Sequence, residues 1–183
     1  MTEAELLSLA SQGDETAFEA LYERHCDPIY GFAWALTKSE ADAEEVVQDC
    51  FMTAIRRAES FEARRSSLRA WLLGIARNLC RRRPRAWSQP DGSEPGETAA
   101  NDPGIETALI RDETDDAVRR AVLALPEAQR EAIVLFEFEE MSLAETAAVL
   151  GIEPNAVKAR LHRGRAQLKN LLQPLRGQGE ARQ

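Results

Sequence analysis

Hydrophobic residues along this chain recur at intervals of three and four wherever they cluster, and nowhere alternate one by one over a long run. That periodicity predicts helices throughout and no sheet. Residues 2–11 fit a short amphipathic helix closed by Gly13, and residues 16–36 a second, in which Pro28 is expected to break or kink the rod. From about Glu40 to Arg57, Ala43, Val46, Val47, Cys50, Phe51, Ala54 and Ile55 share one face, and Asp42, Glu45, Gln48, Asp49 and Met52 the other. On pattern alone that polar face reads as solvated surface. A polar loop, Arg64 to Ser67, then enters a helix starting near Leu68, with Trp71, Leu72, Ile75 and Leu79 on its apolar side. Arg69, Arg77, Arg81 and Arg85 share the broad opposite side, joined by Asn78, Arg82 and Arg83.

Residues 87–106 carry three Pro and three Gly with no hydrophobic period, the composition of a flexible acidic linker. The expected fold is therefore all-α: two small helical domains, residues 1–85 and 113–175, joined by a linker over 86–112 and followed by a tail at 176–183. In the second domain residues 114–125 form one helix, and Pro126 opens another at its first position, running to about Phe138. Ser142 and Glu145 make a capping box for a helix that stops at Gly151, and Pro154 starts a longer one. Two helices joined by a short Gly-containing turn are the layout of a helix-turn-helix. On the last helix Val157, Leu161, Gly164, Leu168, Leu171 and Leu172 form the predicted buried seam. Asn155, Lys158, Ala159, His162, Arg163 and Ala166 lie opposite, with Arg160 and Arg165 on the flanks. Small Ala159 and Ala166 allow close approach to a groove floor, while Asn155, Lys158 and Arg163 can reach base edges or phosphates.

Composition agrees with small helical units: 183 residues, 44% hydrophobic, 6% aromatic and 30% charged. The net charge of −8 argues against nucleic acid only if it is spread evenly. Residues 1–50 hold 12 acids and 2 bases, whereas residues 51–85 hold 2 acids and 10 bases. No acid occurs from Pro154 through Gly179, while Lys158, Arg160, Arg163, Arg165, Lys169 and Arg176 do. With a Debye length of about 8–10 Å, a phosphate on either basic patch feels the local bases more than distant acids. Guanidinium groups crowded on one helix repel one another unless an anion neutralises them, and nucleic-acid phosphate is such an anion; a solvated, dipole-favoured helix terminus is the plainer alternative.

Other chemistry finds little support. Cys26, Cys50 and Cys80 are too far apart for a zinc knuckle or CxxC motif and read as buried thiols. His25 and His162 have no ligand spacing around them, so no metal and no cofactor are called for, and an all-helical metalloenzyme fails on ligands. No apolar run approaches the roughly 18–20 residues that span a bilayer, and the N-terminus is acidic, which predicts a cytoplasmic protein without membrane insertion.

The motifs together resemble the extracytoplasmic function (ECF) class of bacterial RNA polymerase sigma factors. "DAEEVVQDCFMTAIRRAESF" looks like the segment that docks on core polymerase, and "WLLGIARNLCRRRPR" is similar to the family's W-L-x-x-I-A-x-N stretch. "LPEAQREAIVLFEFEEMSLAETAAVLGIEPNAVKARLHRGRAQLKNLL" resembles its L-P-x-x-x-R segment and promoter-reading helix-turn-helix. The resemblance implies a non-enzymatic initiation factor. Asp42, Glu45, Gln48 and Asp49 would bind core polymerase, which displaces the solvated-surface reading. Phe61, Arg64, Arg65, Ser66, Ser67, Arg69, Arg77, Asn78 and Arg81 would hold the minus-10 element, whose melting needs a base captured flipped out at a cost of a few kcal/mol. Trp71, within the apolar seam, is expected to pack in the core rather than stack on a base. Asn155, Lys158, Ala159, Arg160, His162 and Arg163 would read the minus-35 element in the major groove. Core RNA polymerase, promoter DNA and a separate anti-sigma factor are the implied partners. Departures include Arg82, where the family often has an acid, Pro84, and Thr146 at a position usually aliphatic, which suggests looser packing there. A dimeric helix-turn-helix repressor acting alone would explain the second domain but leave the Arg57 to Arg85 patch without a task.

Overall fold

The computed structural model describes the backbone of residues 1–82 and 109–179, and side chains over 1–82 and 115–173. Arg83, Pro84, Arg85 and most of the predicted linker lie outside the described residues. The described residues are all-helical, in two domains.

The first domain is built from α1 (Glu3–Ser11), α2 (Glu15–Thr37), α3 (Glu40–Arg56) and α4 (Leu68–Arg82), with a 3-10 turn at Ala58–Ser60. Each helix begins where a short side chain can take an orphan backbone N–H. Thr2 and Glu5 form a reciprocal capping box on α1, Asp14 accepts from the Ala17 amide, and Ser39 accepts from the Asp42 amide. Ser67 does the same for α4, its Oγ accepting from the Ala70 amide at 3.2 Å. Of the break or kink expected at Pro28, the break does not occur: α2 runs through it as one helix. Pro28 removes one backbone hydrogen bond and costs about 3 kcal/mol in a helix interior. Leu21, Ile29, Phe32 and Ala33 on both sides of it are buried in one core, and their burial, roughly 1.5–3 kcal/mol for each large side chain, holds the two halves as one helix. α3 buries Ala43, Val46, Val47, Cys50, Phe51 and Ala54 as its period predicts, while Ile55 on the same predicted face is half-buried in the last turn.

The second domain holds α5 (Leu109–Ala124), α6 (Glu127–Ile133), α7 (Leu143–Leu150) and α8 (Pro154–Gly179). α5 starts inside the predicted linker, and α8 runs past the predicted tail boundary at 175. Pro126 is the residue flanking α6 rather than its first helical position, and the helix relaxes into a π-helical turn over Val134–Phe138 instead of running on as α-helix. Arg130 explains the α5–α6 corner. Its buried guanidinium donates to the carbonyl oxygens of Leu123 at 2.8 Å and Leu125 at 3.1 Å, satisfying the end of α5. Ser142 and Glu145 form the capping box on α7, and Gly151 ends that helix at φ 64°, where a Cβ would be strained.

α8 seats on α6 through Val157, Leu161 and Gly164, all buried. At Gly164 an added Cβ would come within 2.8 Å of Ile133 Cγ1, so only glycine permits this approach. Further along, Leu171 is 41% exposed and leaves the predicted seam, because the helix has run beyond its partner. Thr146 is fully buried and its hydroxyl donates to the Ser142 carbonyl at 3.0 Å, so a polar group at this usually aliphatic position is satisfied. One contiguous apolar cluster runs through both domains.

Candidate nucleic-acid interface

Three faces predicted to act lie on different sides of the helical packing, and the structure treats them differently. On α3, Glu45, Gln48 and Asp49 are exposed and Asp42 is half-buried, opposite the buried Val46 and Cys50. Tyr22 and Met52 add exposed apolar surface beside them, with the Tyr22 ring 5.0 Å from Phe51. Periodicity placed Met52 on this face, but Tyr22 comes from α2 and could be found only from the packing.

The predicted minus-10 residues divide. Arg64, Arg65, Asn78 and Arg81 are exposed, and Ser66 is half-buried. Phe61 is half-buried and packs its ring 5.3 Å from that of Trp71, so the loop aromatic and the seam aromatic support each other. Arg77 departs from the expectation of an outward arginine row: it is 8% exposed. Its Nε and Nη2 donate to Glu131 Oε1 at 2.8 Å and Oε2 at 3.1 Å, a bidentate pair with α6 of the second domain. Arg69 is half-buried and pairs with Glu139. Ser67 Oγ donates to Glu145 Oε1 at 2.8 Å. The helical wheel of α4 put Arg69, Arg77 and Arg81 on one side, of which Arg81 alone is exposed, and Arg83 and Arg85 of the same row lie outside the described residues; a wheel carries no information about what another domain lays against a face. Glu131 and Glu139 were not singled out from the sequence, and Glu145 only as a cap. A possible signal was the spacing: Arg69 and Arg77 are eight apart, as are Glu131 and Glu139.

Titration follows this geometry. Burial pushes the Glu139 carboxyl above the ordinary glutamate range, against the pull of Arg69. Hydrogen bonds from Ser142 and Ser67 hold Glu145 below it.

On α8, Asn155, Lys158, Ala159, His162 and Arg163 are exposed on the arc opposite Val157 and Leu161. Arg160 is half-buried, its Nη1 3.9 Å from Glu131 Oε2. Arg165 is committed elsewhere, donating to Glu137 at 2.6 Å and lying over the Phe136 ring. The other predicted chemistry is soon placed. Cys50 is buried, with its thiol pushed up to about 12 by desolvation, whereas Cys26 and Cys80 are only half-buried because they sit at the edges of their helices' apolar faces. Among the described residues no His, Cys, Asp and Glu group of three or more is placed to hold a metal, and no helix is long and apolar enough to cross a membrane.

Comparison with known proteins accounts for both domains. The family described as "Sigma-70 region 2" matches residues 21–88, and "Sigma-70, region 4" matches residues 115–168. The ECF RNA polymerase sigma factor SigM of Mycobacterium tuberculosis is 33% identical over 93% of this chain and 85% of its own. Among solved structures, CnrH in complex with the cytosolic domain of CnrY superposes with TM-score 0.68 at 30% identity, covering 93% of this chain and 96% of that one. The sigma factor RpoE of Bartonella quintana, in complex with the anti-sigma factor NepR, superposes with TM-score 0.64 at 30% identity, covering 85% and 96%.

Proposed function

This chain belongs to the ECF class of RNA polymerase sigma factors, in the sigma-70 family, and directs the polymerase to specific promoters; from that premise we propose which surface carries each part of the task. The first domain, residues 1–85, docks on core polymerase through Asp42, Glu45, Gln48 and Asp49, which α3 turns away from the core. The loop and helix from Phe61 to Arg81 take the minus-10 element: Phe61, Ser66 and Ser67 around a flipped base, Asn78 hydrogen-bonding nearby, and Arg64, Arg65, Arg69, Arg77 and Arg81 along the single strand's phosphates. The second domain, residues 113–175, lays α8 in the major groove at minus-35 as the second helix of a helix-turn-helix. There Arg163 and Lys158 on the open arc and Arg160 on its flank are the leading contacts to bases or phosphates, Asn155 and His162 lie on the same arc within reach, and Ala159 allows close approach. Residues 86–112 tether the two domains, so engagement of one element raises the effective concentration of the other and promoter spacing enters specificity.

The protein supplies binding energy for melting and no covalent chemistry of its own, and it works in the cytoplasm. Its regulator is a separate anti-sigma factor, a reading supported by similarity to RpoE, solved with NepR. The observation that carries the assignment is the acid-free basic arc of α8, exposed opposite a buried seam in a chain that matches both sigma regions. The test is purified core polymerase plus this protein on a promoter library, scored for transcripts. Specific starts that need both domains are expected. A folded protein that neither binds core nor yields transcripts would overturn the assignment, and symmetric dimer footprints on a palindrome would favour a repressor instead.

A further inference from the structure

Two helical stripes of the first domain face each other across a gap. On α2, Tyr22, Cys26 and Tyr30 recur every fourth residue, and on α3 Glu44, Val47 and Gln48 share one side, since residues three and four apart stand above one another on a helix. Between the stripes lies a pocket of about 400 Å³, lined by these residues and Asp27. At one end the Tyr22 ring packs 5.0 Å from that of Phe51 and the residue stays 41% exposed. At the other Tyr30 is half-buried, its phenol pushed above the ordinary tyrosine range by burial and by the carboxylates of Glu40 and Glu44, against the pull of Arg119.

The pocket is negative. Asp27 and Glu44 are exposed, and none of the described residues lining it is Lys or Arg. In the second domain Glu131, Glu137 and Glu139 each meet an arginine, whereas Asp27 accepts from the Cys26 thiol at 3.4 Å. Aromatic walls beside carboxylates make a receptacle for a cation. A guanidinium suits it better than an ammonium, because it is planar, lies flat on aromatic faces and forks onto carboxylates. The volume is at the small end of ligand sites, room for one long side chain and not for a helix. What surrounds the pocket identifies the occupant. Gln48 lines it and also belongs to the face proposed to dock on core polymerase, where Glu45 and Asp49 are its neighbours and Met52, one turn on, is 52% exposed. A protein lying on that face covers the pocket.

We propose that this pocket takes an arginine side chain of core polymerase, its guanidinium held by Asp27 and Glu44 and its planar face and stem laid against Tyr22, Tyr30 and Val47. The proposal rests on the assignment of α3 to core docking and goes beyond it: α2 becomes half of the docking surface, and Tyr22, Asp27, Tyr30 and Glu44 become specificity residues.

The test measures the affinity of the full chain for purified core polymerase at several salt concentrations. Asp27→Asn/Glu44→Gln should weaken binding about tenfold, the low end for hydrogen bonds to a charged group, and flatten its salt dependence. Glu23→Gln/Glu59→Gln makes the same charge change at exposed first-domain positions that do not line the pocket, and should bind as wild type does. Tyr22→Leu should weaken binding roughly twofold to fivefold, as the loss of an exposed cation–π contact would, and Tyr22→Phe should restore it. Irradiated holoenzyme carrying Tyr22→p-benzoylphenylalanine should crosslink to a polymerase segment that contains an arginine. Replacing that arginine by alanine should cost as much as Asp27→Asn/Glu44→Gln and add nothing to it. Affinity of the double variant no lower than that of the charge control, a crosslink to a second copy of this chain, or additive losses with the polymerase arginine overturn the proposal. Failure of the docking assignment itself reads differently: Glu45→Ala/Asp49→Ala, on α3 outside the pocket, would then leave core affinity unchanged.

Discussion

The basic faces of α4 and α8 are alike in sequence and unlike in structure. Both set arginine opposite an apolar seam, and both are proposed to meet DNA. On α8 the arc of Lys158, His162 and Arg163 is open to solvent, while on α4 Arg77 is buried and Arg69 is held by Glu139. The difference comes from the partner rather than from the helix: α4 is met by the carboxylates of α6, the following turn and α7, whereas α8 turns its basic arc away from that surface. Helical periodicity decides which residues share a face. Whether a face is available is decided by long-range contacts.

The largest expected effect breaks the covered face. In the closed protein Arg77→Ala leaves Glu131 buried without its bidentate partner, at a cost of about 3–5 kcal/mol. For a chain of this size that is a fall in thermal midpoint of roughly 6–20 °C, less if the domains part before they unfold. Arg77→Ala/Glu131→Ala should recover most of the loss, since both charges are then gone. A double-mutant cycle followed by calorimetry measures the coupling, and simple additivity would show that the two faces do not differ in the way described.

On the open face the same kind of substitution should act on DNA and spare the fold. Arg163→Ala is expected to weaken minus-35 binding by about 1–3 kcal/mol if it reads a base, or to reduce the salt slope by about one if it touches phosphate. Its stability should stay within about 0.5 kcal/mol of wild type, as for an exposed substitution. Binding isotherms with a minus-35 duplex at several salt concentrations check both, and unchanged affinity with unchanged slope removes Arg163 from the site.

These two arginines also mark what was legible in the sequence. The starts of α3, α4, α7 and α8, the Ser142–Glu145 box, the Gly151 stop and the buried faces of α3 through Ala54 and of α8 through Gly164 follow from local rules, because capping and 3.6-residue periodicity act over a few residues. The continuity of α2 through Pro28 does not, since it depends on burial of Ile29 and Phe32 against other helices. Nor does the pairing of Arg77 with Glu131, 54 residues apart in sequence. The π-helical turn after Ile133 likewise has no local motif, although it places Glu139 where Arg69 can reach it. Local chemistry identified the candidate site, and tertiary contacts determined which of its members are occupied.

Gly164 offers a smaller, sharper test of why α8 presents its open face. An alanine there gains about 1 kcal/mol of helix propensity. Its Cβ would meet Ile133 Cγ1 at 2.8 Å, and overpacking of this kind costs roughly 1–3 kcal/mol. A net loss of up to about 2 kcal/mol is expected in denaturant titration. Ile133→Ala alone opens a cavity, but combined with Gly164→Ala it makes room for the methyl group, so the pair should be less unstable than the sum of its parts. Additive losses would mean that the α6–α8 approach is not set by this contact.

The smallest effect comes from a titrating group beside the covered face. His25 is 4% exposed, with Nε2 3.0 Å from Glu3 Oε1 and Nδ1 without a hydrogen-bond partner. Burial holds its pKa below the ordinary histidine value, and Arg69 and Arg24 push the same way, while Glu3 opposes them. The unfolded chain therefore binds this proton more readily than the folded one. The associated stability is complete above about pH 6.5, the unfolded value, and is lost as pH falls from there through the folded pKa. Glu139 works in the opposite sense at more acid pH: its folded pKa is raised, so its contribution is present below the unfolded value and lost as pH rises through the folded one. Thermal midpoints of wild type and His25→Gln, compared from pH 7.5 to 5.5, separate the two, because the variant keeps a donor for Glu3 and cannot gain the proton. Wild type should lose stability over that range relative to the variant, and parallel curves would mean that His25 takes up its proton as easily in the fold as in the unfolded chain.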